Sequence, residues 1–587
     1  MVKNNGLCSN VNNKGKNRKR TRENMVSKSI TVAEYIADFF IQKGIKYIFG
    51  FQGGAILKIL HELIATGKVE YIQNYHEQAS SFCADSYSRI SQDIGVAIAT
   101  SGPGATNLVT GIANAQLDSI PTLFITGQDY TQNVTRNNAA RLNGFQDLDI
   151  VSVVKPITKY AIMLTNPQDV KYEFEKCYHM AKNGRPGAVL IDVPIDVQFA
   201  QVDVDSTKSF TPPREQPYHL DKTVEVINLL KSAKRPVVLA GGGIQIAKAT
   251  PELEEFVKLS KIPVVTTLNG LDSVKHSYSF AGLHGNVYSN IIIRNADLIL
   301  AIGARFGQRQ VGKIPKNYTR AKIIHVDIDF EEFDRSIKSY INIFSDLKLF
   351  LNKLNKELRK TNIANYTDWS NTAKKWKNKY NDTAEINTEK LKPIMATKKI
   401  IDLLNDNSVI TCDVGHNQMW VAQAFKKKGT MRLINSSGLG SMGYSIPAAI
   451  GAKYANPRAK IVSFTGDGGF HMNMQELLLI GQKQLNIKVV VFKNNTLGMM
   501  REVQARYYNS NYHGANPKEF VCVDLKKTAD TFNLQFAKIE KEEQLESISD
   551  LINNNKPCII ELDIAFDSKL SNRYDESHII EENILDE

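Results

Sequence analysis

From residue 30 onward, short β-rich runs alternate with helical stretches. The runs fall at residues 95–100, 121–127, 187–194, 236–241, 262–268, 297–303, 322–329, 408–415, 460–466, 487–492 and 558–564. Many are apolar at successive positions rather than at alternate ones, the pattern of parallel strands buried on both faces. Strand–turn–helix alternation over this length predicts doubly wound α/β domains with parallel sheets. Two stretches break the rhythm. Residues 203–220 hold Pro212, Pro213 and Pro217 in a polar context and read as a linker. Residues 350–392, rich in Lys and Asn around a helical pattern, read as a second, longer one. Three α/β domains result, at about 29–200, 215–350 and 390–565. A disordered basic tail (1–28) precedes them and an acidic tail (566–587) follows.

The 587 residues suffice for several cores, and 42% hydrophobic with 23% charged is ordinary for a soluble protein. No apolar run is long enough to span a membrane. The formal net charge of +12 first suggests nucleic acid, but its location removes that reading. Residues 1–28 carry eight Lys and Arg against Glu23, so +7 belongs to the tail and only +5 to the body. The tail lacks the apolar core of a secretory signal. An organellar address, a nuclear address and a solvated extension stay open, with a soluble intracellular protein, cytoplasmic by default, as the expectation. The six cysteines form no CxxC pair, which argues against a disulfide framework and a thiolate zinc site.

Candidate chemistry lies in the turns after the strands. Gly50-Phe51-Gln52-Gly53-Gly54, Ser101-Gly102-Pro103-Gly104 and Gly241-Gly242-Gly243 are glycine-rich. Such turns let backbone N–H groups approach phosphates, although each alone also serves a tight strand–helix connection. None is the dinucleotide G-x-G-x-x-G with its acidic partner. The third domain holds a more specific pattern. The run 460–465 enters Gly466-Asp467-Gly468-Gly469, and the next run, 487–492, enters Asn494-Asn495-Thr496. One helix and one strand separate Asp467 from Asn494. Both therefore fall at the carboxyl ends of consecutive parallel strands, where open α/β sheets bind ligands. A carboxylate, an amide oxygen and a backbone carbonyl make a hard oxygen set suited to Mg²⁺ on a diphosphate.

This GDG-to-asparagine spacing is the thiamine diphosphate motif, and from about residue 31 to 565 the chain resembles the catalytic large subunits of acetolactate synthases. The resemblance implies a pyrimidine-binding first domain, a central nucleotide-binding domain and a diphosphate-binding third domain. It assigns Glu77, in His76-Glu77-Gln78-Ala79, as the catalytic acid that activates the cofactor's aminopyrimidine. It places Gly53, Gly54, His416, Asn417, Gln418, Gly466, Gly468 and Asn494 around thiamine diphosphate, with Met442 bracing its bent shape. Asp467, Asn494 and the Thr496 carbonyl would hold Mg²⁺. Gln128, Phe145, Gln146 and Lys159 would line the 2-oxoacid pocket. Arg185, Gly241, Gly242, His284, Gly285, Gly303, Arg305 and Asp327 match the family's FAD domain, where the flavin is structural.

The family implies decarboxylation of pyruvate and transfer to a second 2-oxoacid, giving 2-acetolactate for branched-chain amino-acid synthesis. It also implies a homodimer or homotetramer with sites at the interface, and a possible regulatory small subunit. The chain departs from the pattern at Gln52, His416-Asn417-Gln418, Gly307-Gln308, Ile195, Lys493 and Val503. These changes cluster in substrate and flavin contacts and spare Glu77, Asp467 and Asn494. Another thiamine-dependent decarboxylase, carboligase or C–C hydrolase is the alternative they keep open.

Overall fold

A computed structural model describes residues 29–134, 140–214, 216–361, 363, 365–380 and 390–570. The basic tail and most of the acidic tail, 571–587, lie outside these residues. The first domain runs β1 (Ser29–Thr31), β2 (Tyr47–Phe51), β3 (Glu70–Gln73), β4 (Gly95–Ala99), β5 (Thr122–Gln128), β6 (Tyr160–Met163), β7 (Ala188–Pro194) and β8 (Gln201–Asp203). β1 and β8 form a short antiparallel pair, and the other six form a parallel sheet in the order β3-β2-β4-β5-β7-β6. The central sheet holds β9 (Pro236–Ala240), β10 (Val264–Thr266), β11 (Leu298–Ile302), β12 (Lys322–Asp327) and β13 (Ile341–Phe344), ordered β10-β9-β11-β12-β13. The third holds β14 (Val409–Cys412), β15 (Arg432–Asn435), β16 (Ile461–Gly466), β17 (Ile487–Lys493), β18 (Gln535–Ile539) and β19 (Cys558–Asp563), ordered β15-β14-β16-β17-β19-β18. All three sheets are parallel. Three doubly wound α/β domains are thus what the apolar runs encode.

The first and third sheets share one strand order. In each, the first strand and the third are neighbours and the chain leaves them in opposite directions. That topological switch point opens a crevice beyond the carboxyl ends of the strands. The glycine turns at 52–54 and 101–104 follow β2 and β4. Gly415-His416 and Gly466-Asp467 follow β14 and β16.

The stretch 350–392, expected to be a linker, is largely packed structure. Helix Leu347–Leu358 buries Phe350, Leu351 and Leu354 on one face of the central sheet. Helix Thr367–Tyr380 buries Trp369, Ala373 and Trp376 on the other, and the Trp369 indole donates to the Pro236 carbonyl at 2.9 Å. Its exposed face carries the Lys and Asn residues that made the sequence look like a tether.

The first and third domains are joined by helix Glu77–Ser91 lying on helix Ser445–Ala455. Small residues face each other, so the backbones come close. The Cys83 thiol donates to the Pro447 carbonyl at 3.1 Å, and the Ser86 hydroxyl donates to the Ala448 carbonyl. Beneath the contact the buried Arg89 guanidinium reaches Asp85 at 2.7 Å and Asp118 at 3.0 Å, and the Tyr444 hydroxyl donates to Asp85 at 2.6 Å. A Cβ at Gly451 would stand 2.1 Å from the Cys83 carbonyl oxygen. Overpacking of this kind costs about 1–3 kcal/mol. Gly451→Ala is expected to lower unfolding stability by that amount, measured by denaturant titration; an unchanged midpoint would show that the two helices can separate freely.

Candidate active site

The position of Glu77, the predicted activating carboxyl, is set by how its helix begins. β3 ends at Gln73, and His76 caps the helix by accepting the Gln78 N–H on Nδ1 at 3.0 Å. Glu77 is therefore the first helical residue, buried under the turn that follows β4. Its Oε2 accepts from the Asn107 amide at 2.9 Å. A Cβ at residue 104 would come within 3.2 Å of Oε1, so Gly104 keeps that oxygen approachable. Gly53 packs on Thr100, and Gly54 opens the short turn Gly54–Ile56 beside it. Gln146 reaches the same turn, accepting from the Ser101 hydroxyl at 3.4 Å. Its neighbour Phe145 is 79% exposed.

The second cluster surrounds Asp467. This carboxylate is 2% exposed at the start of helix Asp467–Asn473. Oδ2 accepts the N–H groups of Asn494 at 3.2 Å and Asn495 at 2.7 Å, and Oδ1 accepts that of Gly468 at 3.0 Å. Burial pushes its carboxyl up to about 6 against the pull of these donors. A desolvated carboxylate beside the Asn494 amide and the tight 494–496 turn is a hard-oxygen site that a divalent cation would stabilise. A Cβ at Gly468 would stand 2.6 Å from Leu497 and 3.1 Å from the Met442 methyl, so glycine leaves a hollow under Met442. Gly466 faces the Asn417 amide oxygen, and Gly498 faces His416. His416 Nε2 lies 3.0 Å from Glu502. Gln418 points elsewhere, donating to Asn435 at 3.0 Å and the Ser436 carbonyl at 3.2 Å.

Two predicted substrate residues have their polar atoms engaged within the first domain. Gln128 is 1% exposed; its amide donates to the Leu148 carbonyl at 2.8 Å and to Asp192 at 3.0 Å. The Lys159 ammonium donates to the Asn183 and Arg185 carbonyls, both at 2.7 Å. Burial, with the Arg185 charge adding to it, brings that lysine down to about 8.

The FAD candidates converge better. A cavity of about 590 Å³ is lined by Arg185, Gly242, His284, Gly303, Arg305 and Asp327, a size within the range of cofactor sites. Gly241 and Gly285 back this wall without lining it, each pressed against backbone. Arg185 is paired with Asp329 at 2.9 Å and with Glu332, and Arg305 donates to the Leu117 carbonyl at 2.9 Å. The set of cations along one wall, with Asp327 at a strand end, suits a phosphate-bearing nucleotide.

Two residues escaped the sequence reading. Asp413, at the end of β14, accepts the N–H groups of Val414, Gly443 and Ser445 at 2.9–3.0 Å and so folds the loop that carries Met442. Its signal was an acidic residue closing an apolar run. Arg309 lines the central cavity and donates to Gln418 Oε1 at 3.1 Å, tying that cavity to the third domain. Its signal was a second arginine four residues beyond Arg305.

No hydrogen bond or ion pair joins the Glu77 cluster directly to the Asp467 cluster among the described residues. The first domain is instead braced on the third through Asn74 and Tyr75, which both donate to Glu476 at 2.9 Å. Asn473 donates to Gln78 at 3.3 Å.

Three family models match in order. They are the N-terminal thiamine pyrophosphate binding domain at residues 30–153, the thiamine pyrophosphate enzyme central domain at 223–354, and the C-terminal thiamine pyrophosphate binding domain at 413–562. The acetolactate synthase large subunit of Cyanidium caldarium is 36% identical over 554 residues, 91% of this chain and 93% of that one. The large subunit of Lactococcus lactis subsp. lactis is 36% identical over 533 residues, 89% of this chain and 90% of that one. The chloroplastic acetolactate synthase of Arabidopsis thaliana is 36% identical over 495 residues, 82% of this chain and 72% of that one. With the thiamine domains in sequence and this identity sustained along nine-tenths of its length, the chain belongs to the acetolactate synthase large-subunit family of thiamine pyrophosphate enzymes.

Proposed function

We propose that the protein is an acetolactate synthase catalytic subunit that uses thiamine diphosphate, Mg²⁺ and a structural FAD. The observation that carries this reading is the buried Asp467 carboxylate held by the 494–495 N–H groups at the ends of adjacent strands β16 and β17. Bound thiamine diphosphate supplies the electron sink at which pyruvate loses CO₂ and its two-carbon remainder passes to a second 2-oxoacid, giving 2-acetolactate when that acid is pyruvate.

The chain's own residues do the rest. Asp467, the Asn494 amide and the Thr496 carbonyl hold Mg²⁺, which neutralises the diphosphate. Met442 and Gly468 shape the hollow beside it. Glu77 keeps a proton at Oε1 or Oε2 for the pyrimidine ring nitrogen, and the Asn107 amide fixes that carboxyl's orientation. Phe145 and Gln146 border the Glu77 turn and bear on the incoming 2-oxoacid. Arg185, Arg305 and Asp327 hold FAD, which positions and does not react. The two clusters belong to opposite ends of one cofactor yet share no direct bond among the described residues. A second copy that sets its Asp467 against this Glu77 completes the site, and the exposed Phe145 ring suits such a covered face. The Val503 and Ile195 departures bear on which second 2-oxoacid is accepted.

Purified protein with these cofactors should convert pyruvate to acetolactate, identified by mass spectrometry; CO₂ release without acetolactate would instead indicate a simple decarboxylase of the same superfamily. Glu77→Gln keeps the shape and removes the acid, and should lower turnover by on the order of 10²–10⁴-fold. Retention of full activity would refute the role. Asp467→Ala should weaken Mg²⁺-dependent retention of thiamine diphosphate by about 100-fold or more in equilibrium dialysis, with the fold unchanged by circular dichroism.

A further inference from the structure

A second cavity, of about 1410 Å³, lies between the central and third domains. It shares no lining residue with the thiamine clusters or the flavin cavity. Its walls are lysine-rich. Lys258 and Lys261 come from the end of helix Thr250–Ser260, and Lys275 from the following loop. Lys374 and Lys377 come from helix Thr367–Tyr380. Lys392 and Lys398 flank the start of helix Pro393–Asp402, and Lys426 and Lys427 follow helix His416–Ala424. Among the described residues one carboxylate on the wall, Glu254, stands against these nine. Among the described residues none of the nine is in an ion pair, whereas Lys390, two residues from Lys392, meets Asp563 at 2.7 Å. The body of the chain carries only +5, so this wall concentrates charge that composition alone does not predict.

The concentration is felt by the side chains themselves. Lys377 is half-buried over the rings of Tyr278 and Tyr288, at 5.7 and 5.8 Å. Burial and the facing Lys426 charge hold its ammonium below the usual lysine range. Lys427, 7% exposed, is lowered by burial in the same way and donates to the Asp272 carbonyl. Ring faces, one carbonyl and the Asp272 and Glu254 carboxylates that act on Lys427 offset only part of the mutual repulsion of ammonium groups in a recess. An anion would offset it directly.

We propose that this cavity binds a small polyphosphate anion. Its volume exceeds the usual ~300–1,000 Å³ of ligand pockets, room for several charged groups rather than one. The wall supplies lysines and no arginine, flexible point charges that follow a phosphate chain rather than forks that read a planar carboxylate. Of the Tyr and Phe side chains on the wall, Tyr288 and Phe425 are buried while Tyr278 and Tyr380 are part-exposed, and an attached nucleoside has the latter two to lie against. The ligand's place is also mechanically significant. Gly285 and Asn286 line this cavity while His284 lines the flavin cavity, so the two lie back to back. Gln423 crosses between them, its amide donating to the His284 carbonyl at 2.9 Å.

The test is calorimetric titration of the full chain, loaded with thiamine diphosphate, FAD and excess Mg²⁺, with inorganic tripolyphosphate and separately with ATP at matched ionic strength. Saturable binding that weakens with added salt is expected. The variant Lys374→Gln/Lys377→Gln/Lys426→Gln should bind at least about tenfold more weakly. Its melting temperature without anion should equal or exceed that of the parent, because repulsion is removed. Equal affinity for the two probes assigns recognition to the phosphate chain; tighter ATP adds the aromatic wall. Unsaturable binding, or binding unchanged in the triple variant, overturns the proposal, the latter by placing the anion outside the lysine-lined cavity. Tighter binding of an RNA oligonucleotide than of either probe would overturn it in favour of a nucleic-acid surface.

Discussion

The contact of helix Glu77–Ser91 with helix Ser445–Ala455 sets the position of nearly everything that matters in this molecule. The first helix carries Glu77 at its start and Arg89 in its last turn. The Arg89 side chain is 9% exposed and its partners Asp85 and Asp118 are buried, and charges so placed are tolerated only when each partner is satisfied. Asp118 spends its remaining capacity on the N–H groups of Ser437 and Gly438, at 3.1 and 2.9 Å. The loop that ends in Met442 is thereby hung from the first domain at one end and from Asp413 at the other. One ionic knot fixes the loop over the Gly468 hollow while the helix it sits on fixes Glu77.

Much of this architecture was legible in the chain. Interior strands such as β5, β7 and β9 are buried at every position, so their sequences are continuous apolar runs bounded by glycine. The edge strands β3, β6 and β18 were harder. They are partly exposed at most positions, and Glu70-Tyr71-Ile72-Gln73 does not differ from a loop in composition. An edge strand exists because a neighbour offers hydrogen bonds, a tertiary fact that no local pattern carries. Helix Thr367–Tyr380 misled for the opposite reason. Only Trp369, Ala373 and Trp376 reach the core, and the many Lys and Asn on its other faces outweigh them in any count of composition.

The candidate site divides along the same line. Asp467 and Asn494 were legible because their roles follow from chain geometry: two strand ends one crossover apart must be neighbours in a parallel sheet. Glu77 was legible through motif and capping, which are also local. Gln128 and Lys159 matched a motif equally well, yet their polar atoms are consumed by Asp192, Leu148 and the 183–185 turn. Hydrogen-bond capacity already spent within the fold is invisible to spacing. Asp413 and Arg309 show the converse, because each acts on segments distant in sequence, a loop thirty residues on and a glutamine of another domain.

The flavin cavity and the lysine-lined cavity share the strip from Leu283 to Asn286, and the strip is held from the third domain. Gln423 donates to the His284 carbonyl and its own carbonyl accepts from Asn286 at 3.4 Å. Arg309 closes the same connection from the flavin side by donating to Gln418, five residues earlier on helix His416–Ala424. That helix begins with His416 and Asn417, which face Gly498 and Gly466 beside the diphosphate hollow. A rigid helix of nine residues thus touches three chambers. Lys426 and Lys427, which line the lysine-rich chamber, follow immediately beyond that helix. The central domain is therefore more than a spacer: its Arg309 and His284 are bonded to the same helix whose first residues face Gly466 and Gly498.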